Sequence, residues 1–536
     1  MNKIFEQLLR TRGVGKDFLE PKYEDLTEPG KLPDMKKAVE RLKKAIKNQE
    51  KILVYGDYDV DGVTATATLV KALKLAGVTE VETMLPDRFV DGYGMSERLI
   101  EQAEKTGVGL VITVDCGSNN GEIIQALKDK KIDVIVTDHH EMSGKKPQAA
   151  AVINPKRPDF KGEEKLRELA GAGVAFMLAR ALALEGIIPE GQEKWLLDLA
   201  MIGTICDSME LTGDNRIICK YGAIVLKKTR RVGLKELMRV AGVTRITAEA
   251  VGFQIGPRLN AAGRMQTAKL ALELLLTESK VEAARIAGEL NQLNQERRKQ
   301  QNDAISEVEK DGITDDPVIV VRGDWHEGIV GIIAGRLTER YRKPSFVLTE
   351  VDGGYKGSGR SFGEFDLALA LRECQDLLIA GGGHAAACGV TLAKEKVGDF
   401  EQRINEYHRS LELRNQERFL DTREDILLEK MEGLDLDLAE EMRRLEPFGN
   451  GNPEPVFLLS DMFVLDVTKM GDEGQHLRML VRDDYGQTMK LVAFYAKKPW
   501  LELKPAARVS VWINLVENEW NGIRSVEGRV LKIEMA

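Results

Sequence analysis

Three aspartates stand at alternate positions in Gly56-Asp57-Tyr58-Asp59-Val60-Asp61-Gly62. Carboxylates this close repel one another strongly unless cations lie between them. The same pattern opens a calcium-binding EF-hand loop, but that loop needs a preceding helix and a glutamate at its twelfth position. Here the preceding Lys51-Ile52-Leu53-Val54-Tyr55 reads as a strand, and the twelfth position is Thr68. The EF-hand is excluded. The segment instead reads as a strand-to-helix turn presenting Asp57, Asp59 and Asp61 at a sheet edge, although by itself it would also describe a solvated turn. Three further segments bear on that choice. Asp115 ends the apolar run Val111–Val114, and Asp138, His139, His140 and Glu141 end the run Val134–Thr137. Asp207 closes Met201-Ile202-Gly203-Thr204-Ile205-Cys206. Four segment ends all finishing in acids or histidines are not explained by capping. An oxygen-rich donor set with one or two imidazoles suits Mn2+ or Mg2+ better than zinc, and two such ions can drive phosphoester hydrolysis.

A second group of residues suits anions. Gly381-Gly382-Gly383-His384 would let backbone approach a phosphate closely, with His384 as a donor; a flexible turn bearing a surface histidine is the alternative. Arg258 and Arg264 flank Asn260 in what reads as a loop rich in small residues, either a bidentate phosphate clamp or a pair of salt bridges. Ser358 and Arg360, beside glycines, also suit an anion pocket. Near the C-terminus, Phe457, Phe463, Trp512 and Trp520 could stack bases, but alternating strands bury every second residue, so most are expected in a core. Trp520, in a hairpin tip, is the best exposed candidate. The run Lys227–Arg239 could be a basic contact surface or a solvated helix face.

These residues need a scaffold, and the chain supplies one. Continuous apolar runs (KILVYG, VETMLP, GLVITVD, DVIVTD) alternate with helical patterns, as in a parallel sheet covered on both faces. Ligands bind at the carboxyl ends of such strands, where the acids occur. The fold class is α/β with a C-terminal all-β barrel. Expected divisions are an N-terminal helical segment (1–48), a first α/β domain (49–279), a long polar connecting helix (280–312), a second α/β domain (313–410) and a barrel of the oligonucleotide-binding kind (411–536). Length supports this, because 536 residues exceed what one core can bury. At 43% hydrophobic and 30% charged residues, disorder is excluded. No apolar run is long enough for a membrane span and the N-terminus does not read as a signal peptide, so a cytoplasmic location is expected. Five cysteines without a CxxC pair argue against disulfides and structural zinc. The net charge of −9 does not exclude a nucleic-acid substrate, since a metal-loaded site presents a positive face.

The motifs GDYDVDG, VDCG, TDHH and GTICD, in that order, closely resemble those of the DHH phosphoesterases. The resemblance implies that Asp57, Asp59 and Asp115 hold one ion. It further implies that Asp61, Asp115, His139 and Asp207 hold the other, with Asp115 bridging, Asp138 orienting the histidines and His140 facing the substrate phosphate. Asp115, Asp138 and His140 are thus the expected catalytic residues. Within that superfamily, PDRFVDGYGMS, GPRLNAAGRM, WHEGIVGIIAGRL, GSGRSF, GGGHAAACG and PFGNGNPEPVF resemble the RecJ exonuclease branch. This implies a 5′-to-3′ exonuclease on single-stranded DNA, active in recombination and repair, with Arg88 joining Ser358 and Arg360 on a 5′-terminal phosphate. Arg258, Asn260, Arg264 and His384 complete the expected substrate contacts. The expected partners are single-stranded DNA, a single-stranded-DNA-binding protein and a helicase, with the chain acting as a monomer. The sequence departs from the family at Ser118-Asn119-Asn120, at Glu141 and in GTICDSM, which bears on rate or substrate preference. Two alternatives are a phosphodiesterase of short oligonucleotides or RNA, and an inactive nucleic-acid-binding scaffold.

Overall fold

The computed structural model describes residues 2–92, 94–411, 413, 422–472 and 474–535. Tyr93 of the GYG stretch, and residues 412 and 414–421 of the charged stretch Glu401–Arg423, lie outside the described residues. The chain forms two compact units. The larger comprises Glu28–Met209 and Gly222–Leu420, and the smaller Met1–Thr27, Glu210–Tyr221 and Asp421–Ala536.

The larger unit opens with five strands: β1 (Ile52–Tyr55), β2 (Val81–Met84), β3 (Leu110–Val114), β4 (Asp133–Thr137) and β5 (Ala151–Ile153). They pair in the order β2-β1-β3-β4-β5, all parallel. β1 and β3 are buried at every position because both faces are covered. One face packs against Leu99, Ala103, Ile124 and Leu127 of two amphipathic helices. The helices Val60–Leu75 and Gly171–Leu184 also lie against the sheet. Val60–Leu75 is almost wholly buried although it carries Thr64 and Thr66. Their hydroxyls bond back to Val60 and Gly62 carbonyls at 2.8 and 2.7 Å, which satisfies them inside the core. The strand order reverses between β1 and β3, where loops diverge and leave a crevice at the carboxyl ends.

The helix Lys280–Asp311 leads into a second sheet. Its strands are β6 (Ile319–Gly323), β7 (Ser345–Val351), β8 (Gly354–Arg360), β9 (Leu378–Gly383) and β10 (Ala387–Ala393), in the order β6-β7-β8-β10-β9. Only β6 and β7 pair in parallel. Ala304 and Val308 of the long helix share a core with Ile329, Ile333 and Leu337 of the helix Glu327–Tyr341. Phe346, Leu371, Phe400 and Ile404 fill another core of this sheet.

In the smaller unit, β12 (Phe457–Met470), β13 (His476–Arg482), β14 (Thr488–Ala493), β16 (Ile523–Met535) and β15 (Arg508–Trp520) pair in sequence. β15 returns to β12 and closes a five-stranded barrel, to which β11 (Ile426–Leu428) is added beside β12. The expected α/β-plus-barrel architecture is present. Ile4, Phe5 and Leu8 of the N-terminal helix Lys3–Arg12 enter the barrel core with Phe457, Met479 and Val511. All five cysteines are free thiols.

Three expectations change, and a fourth, on the barrel aromatics, holds. Residues Gly256–Met265, read as a loop, form a helix preceded by a π-turn at Val251–Ile255. Its small residues serve close packing: a side chain at Gly256 would strike Cys206 Sγ, and one at Gly263 would lie 2.8 Å from the Tyr58 carbonyl oxygen. Gly381–Gly383 form the end of strand β9, not a turn. The run Lys227–Arg239 is broken between two helices, where Arg231 bonds the buried Asp198 at 3.2 Å and Arg230 lies over Trp195. Of the four barrel aromatics, Phe457 and Trp512 are buried and Phe463 lies beneath Arg482, whereas Trp520 is 74% exposed.

Arg216 joins three segments of the smaller unit. Its guanidinium stacks 3.7 Å from the Phe18 ring centroid and donates to the Phe18, Leu445 and Arg444 carbonyls at 2.8, 2.8 and 3.2 Å. Burial pushes its pKa down to about 10. Replacing it by alanine leaves buried carbonyl groups unpaired, at a cost of roughly 2–4 kcal/mol. Urea unfolding followed by tryptophan fluorescence should show an earlier transition for Arg216→Ala; an unchanged midpoint would contradict this role.

Candidate metal centre

The carboxylates are delivered to the crevice by different backbone arrangements. Asp57 follows β1, where Gly62 must lack a side chain: a Cβ there would lie 2.6 Å from Asp57 backbone atoms. Asp59 caps the helix Val60–Leu75, accepting from Gly62 N–H at 3.0 Å. Asp61, in the first turn, accepts from Gly171 and Ala172 N–H at 2.6 and 2.9 Å, at the positive end of the helix Gly171–Leu184. Asp115 follows β3 with φ of 60°, a left-handed conformation that is uncommon outside glycine and that turns the chain sharply at the strand end. Asp207 lies at the C-terminal cap of the helix Leu197–Cys206.

These side chains converge. His139 Nε2 lies 3.1 Å from Asp115 Oδ1, 3.5 Å from Asp207 Oδ2 and 3.7 Å from Asp61 Oδ2. Potential ligand atoms of Asp57, Asp59 and Asp115 fall within 4.8 Å of one another, as do those of Asp61, His139 and Asp207 and those of Asp115, His139 and His140. Burial, then the neighbouring Asp59, pushes the Asp57 carboxyl up to about 8 and that of Asp207 up to about 7. Asp61 and Asp115 are raised well above the carboxylate range by burial and then by the other acids. Burial, then His140, holds His139 down at about 3, so its imidazole is neutral and can offer a lone pair. Asp57 Oδ1, Asp115 Oδ1 and His139 Nε2 are buried without hydrogen-bond partners. Buried polar atoms are ordinarily paired, and a divalent cation is the partner that all three would accept.

Asp138 does different work. It accepts from the N–H groups of Ser118, His139 and His140 at 2.9, 2.7 and 3.1 Å and pairs with His140 Nδ1 at 2.9 Å. Burial opposes its ionisation, but the His140 bond and charge prevail and hold it at about 2. His140 is correspondingly pushed up to about 9: burial opposes its charge, and the Asp138 bond outweighs that. The pair fixes a cationic, partly exposed imidazole beside the acids.

The family departures are built into this loop. Ser118 hydroxyl accepts from Asn154 Nδ2 at 2.7 Å, and the same amide donates to the His140 carbonyl at 2.9 Å. Asn119 donates to the Glu141 carbonyl and accepts from Ser143 N–H. Asn154 escapes notice in the sequence because the strand it follows, β5, has only three residues.

Several of the expected anion-binding residues gather. Burial, then the charges of Arg88, Arg297 and Arg360, lowers Arg264 to about 10. Arg360 donates to Ser358 Oγ at 2.9 Å, and Arg88 lies over the Tyr58 ring and acts electrostatically on Asp57. Arg258 is instead committed to Asn291 at 2.9 Å and the Gln254 carbonyl at 2.6 Å. Asn260, on the same helix as Arg264, is half-buried and joins no ligand group among the described residues. His384 is exposed in the β9–β10 turn, near the Ala387–Arg360 pairing.

Packing and charge each lead to a measurable consequence. A Cβ at Gly203 would strike Asp61 Oδ1 and approach Ala172 Cβ at 2.5 Å. Gly203→Ala should therefore weaken Mn2+ binding about tenfold or more by calorimetry, although the same change in an exposed helix would stabilise; unchanged affinity would contradict the placement of Asp61. Secondly, carboxyls raised in the folded state bind more protons folded than unfolded. The metal-free protein should thus lose stability as pH rises from the ordinary carboxylate range, about 4, through about 8. Mn2+ affinity should strengthen over the upper part of that window as protons cease to compete. Thermal melts and metal titrations at three pH values, about 6, 7 and 8, would check both, and a pH-independent affinity would contradict them.

Comparison with known proteins agrees with this geometry. Residues 51–204 match the DHH family, N-terminal domain, residues 315–410 the DHHA1 domain and residues 428–532 the RecJ OB domain. The chain is 39% identical over 512 residues to the single-stranded-DNA-specific exonuclease RecJ of Bacillus subtilis, covering 94% of this chain and 64% of that relative's length. It is 33% identical to the corresponding Dickeya dadantii protein, covering 98% of this chain and 94% of the relative. The crystal structure of RecJ in complex with Mn2+ from Thermus thermophilus superposes with a TM-score of 0.85 at 32% identity, covering 98% of this chain and 75% of that one. The chain belongs to the RecJ family of DHH-domain proteins.

Proposed function

We propose that the chain is a metal-dependent exonuclease that hydrolyses single-stranded DNA from its 5′ end and releases 5′-mononucleotides. The observation that carries this reading is the meeting of two opposed clusters in one unit. Buried acids with a neutral imidazole stand beside guanidiniums of Arg88, Arg264 and Arg360, and burial, then the charge of neighbouring arginines, lowers the pKa of Arg264 and Arg360. Asp57, Asp59 and Asp115 would hold one divalent ion, and Asp61, Asp115, His139 and Asp207 a second. Mn2+ or Mg2+ suits these oxygen-rich sites, and structures of Thermus thermophilus RecJ carry Mn2+ and Mg2+. Bound there, the ions would supply Lewis acidity for phosphodiester hydrolysis.

The chain's own residues orient the reaction. His140, kept cationic by Asp138, would meet the scissile phosphate. Arg88, Arg360 and Ser358 would grip the terminal 5′-phosphate, with Arg264 adding charge. A 5′ end anchored beside the acids sets polarity, because only the bond near that end can reach them. The proposed domains are those expected from the sequence (1–48, 49–279, 280–312, 313–410 and 411–536). No helix among the described residues is long and apolar enough to cross a membrane. Monomeric action in the cytoplasm, beside a single-stranded-DNA-binding protein and a helicase, belongs to the same reading and is supported by the family relationship alone.

Single-stranded DNA labelled at either end should release a 5′-labelled mononucleotide first in Mn2+, and Asp115→Ala should abolish release. Cleavage of dinucleotides or RNA fragments alone would favour the short-substrate reading; binding without cleavage would favour a scaffold. Arg360→Ala should erase the preference for a 5′-phosphorylated over a 5′-hydroxyl end, a loss of about tenfold or more in kcat/KM. Retained preference would contradict the anchoring role.

A further inference from the structure

We propose that Lys156 is a substrate-binding residue that takes the first phosphate beyond the bond being cut, holding the strand on the 3′ side of the metal centre. The proposal rests on the substrate reading above. It gives a role to a cation that belongs neither to the metal-ligand groups nor to the arginine cluster.

Backbone geometry brings Lys156 to the site. β5 runs parallel to β4 with Ile153 opposite Thr137, and the Asp138 N–H donates to the Ile153 carbonyl at 3.0 Å. The residues after β5 therefore lie at the same sheet edge as Asp138, His139 and His140. Asn154, fully buried, locks this segment. Its Oδ1 accepts from the Lys156 N–H at 2.7 Å, while its Nδ2 donates to the His140 carbonyl at 2.9 Å. Two adjacent cations then differ in their partners. Arg157 is held by Asp34 and Asp159, both at 2.8 Å. Lys156 is half-buried, and among the described residues no carboxylate or carbonyl receives its ammonium. A cation drawn partly out of water without a partner is costly, and a phosphate would relieve it.

The charges are divided across the centre. Arg88 acts electrostatically on Asp57, and Asp59 acts on Arg264, which places these arginines with the group of Asp57, Asp59 and Asp115. Lys156 acts instead on His139 and Asp207, which belong to the other group. A strand with its 5′-phosphate on the arginines would lay its scissile bond over the acids and leave on the side of Lys156. The phosphate after the scissile one is then the one that meets the ammonium. A point charge on a flexible stem suits that position, because it neutralises a phosphate without demanding one orientation.

The test is cleavage in Mn2+ of a 5′-phosphorylated oligothymidylate, either unmodified or with a neutral methylphosphonate between its second and third nucleotides. Lys156→Gln should lose about tenfold or more in kcat/KM on the unmodified strand. Wild type should lose a similar factor to the methylphosphonate, whereas Lys156→Gln should be indifferent to it. In EDTA, where the strand stays uncut, anisotropy should give Lys156→Gln a log–log salt slope shallower by about 0.7, the share of one phosphate on a single strand. Its Mn2+ affinity by calorimetry should be undiminished, since the lysine's charge opposes the ion. Wild-type kcat/KM for Lys156→Gln, or an unchanged salt slope, overturns the proposal and leaves the substrate reading in place. Equal sensitivity of both proteins to the methylphosphonate, or a fall in Mn2+ affinity, also overturns it, because the lysine then acts through the loop. If wild type releases no mononucleotide from the unmodified strand, the substrate reading itself fails, and the role of Lys156 with it.

Discussion

Four carboxylates, from Asp57, Asp61, Asp115 and Asp207, share one largely buried volume with the imidazole of His139. Their mutual repulsion in a poorly solvated site is the constraint around which the larger unit is organised. Left to itself, the cluster takes up protons, as the upward shifts of all four show. Only backbone arranged in advance can hold such groups together without metal. The parallel sheet supplies strand ends at the β1–β3 reversal, the helix Gly171–Leu184 turns its N–H groups on Asp61, and glycines at 62, 171 and 203 remove the side chains that would push the acids apart.

The same economy of space explains the helix Gly256–Met265. Its glycines let it pass against Tyr58 and Cys206, residues beside Asp57 and Asp207, and its last arginine, Arg264, reaches the Gly328 carbonyl of the second α/β region. The arginine and the acids are thus set by one packing arrangement. Arg264 and Arg88 repel each other, as the acids do; phosphates of an anionic substrate would relieve the arginines, and divalent cations the acids.

Much of this is legible in the sequence because chemistry and topology coincide there. Apolar runs ending in Asp57, Asp115 and Asp138 announce strands and candidate site residues together, and the structure brings all six expected metal ligands into overlapping groups. What stays hidden has physical reasons. GPRLNAAGRM looks like a loop because glycine, proline and asparagine disfavour helices, yet tight packing needs small residues. Arg258 looks like a clamp, but its partners Asn291 and Gln254 lie on other turns that no local pattern reveals. Ser118 and Asn119 read as departures, and their bonds to Asn154 and Glu141 arise only when separate strand ends meet.

In the proposed mechanism Asp115 lies between two cation sites formed by the acids and His139. Anomalous diffraction from crystals soaked in Mn2+ measures it directly. Two peaks roughly 3.5–4 Å apart are expected, one beside Asp57 and Asp59 and one beside Asp61, His139 and Asp207, with Asp115 bonded to both. A single peak, or two peaks with Asp115 bonded to neither, would contradict it.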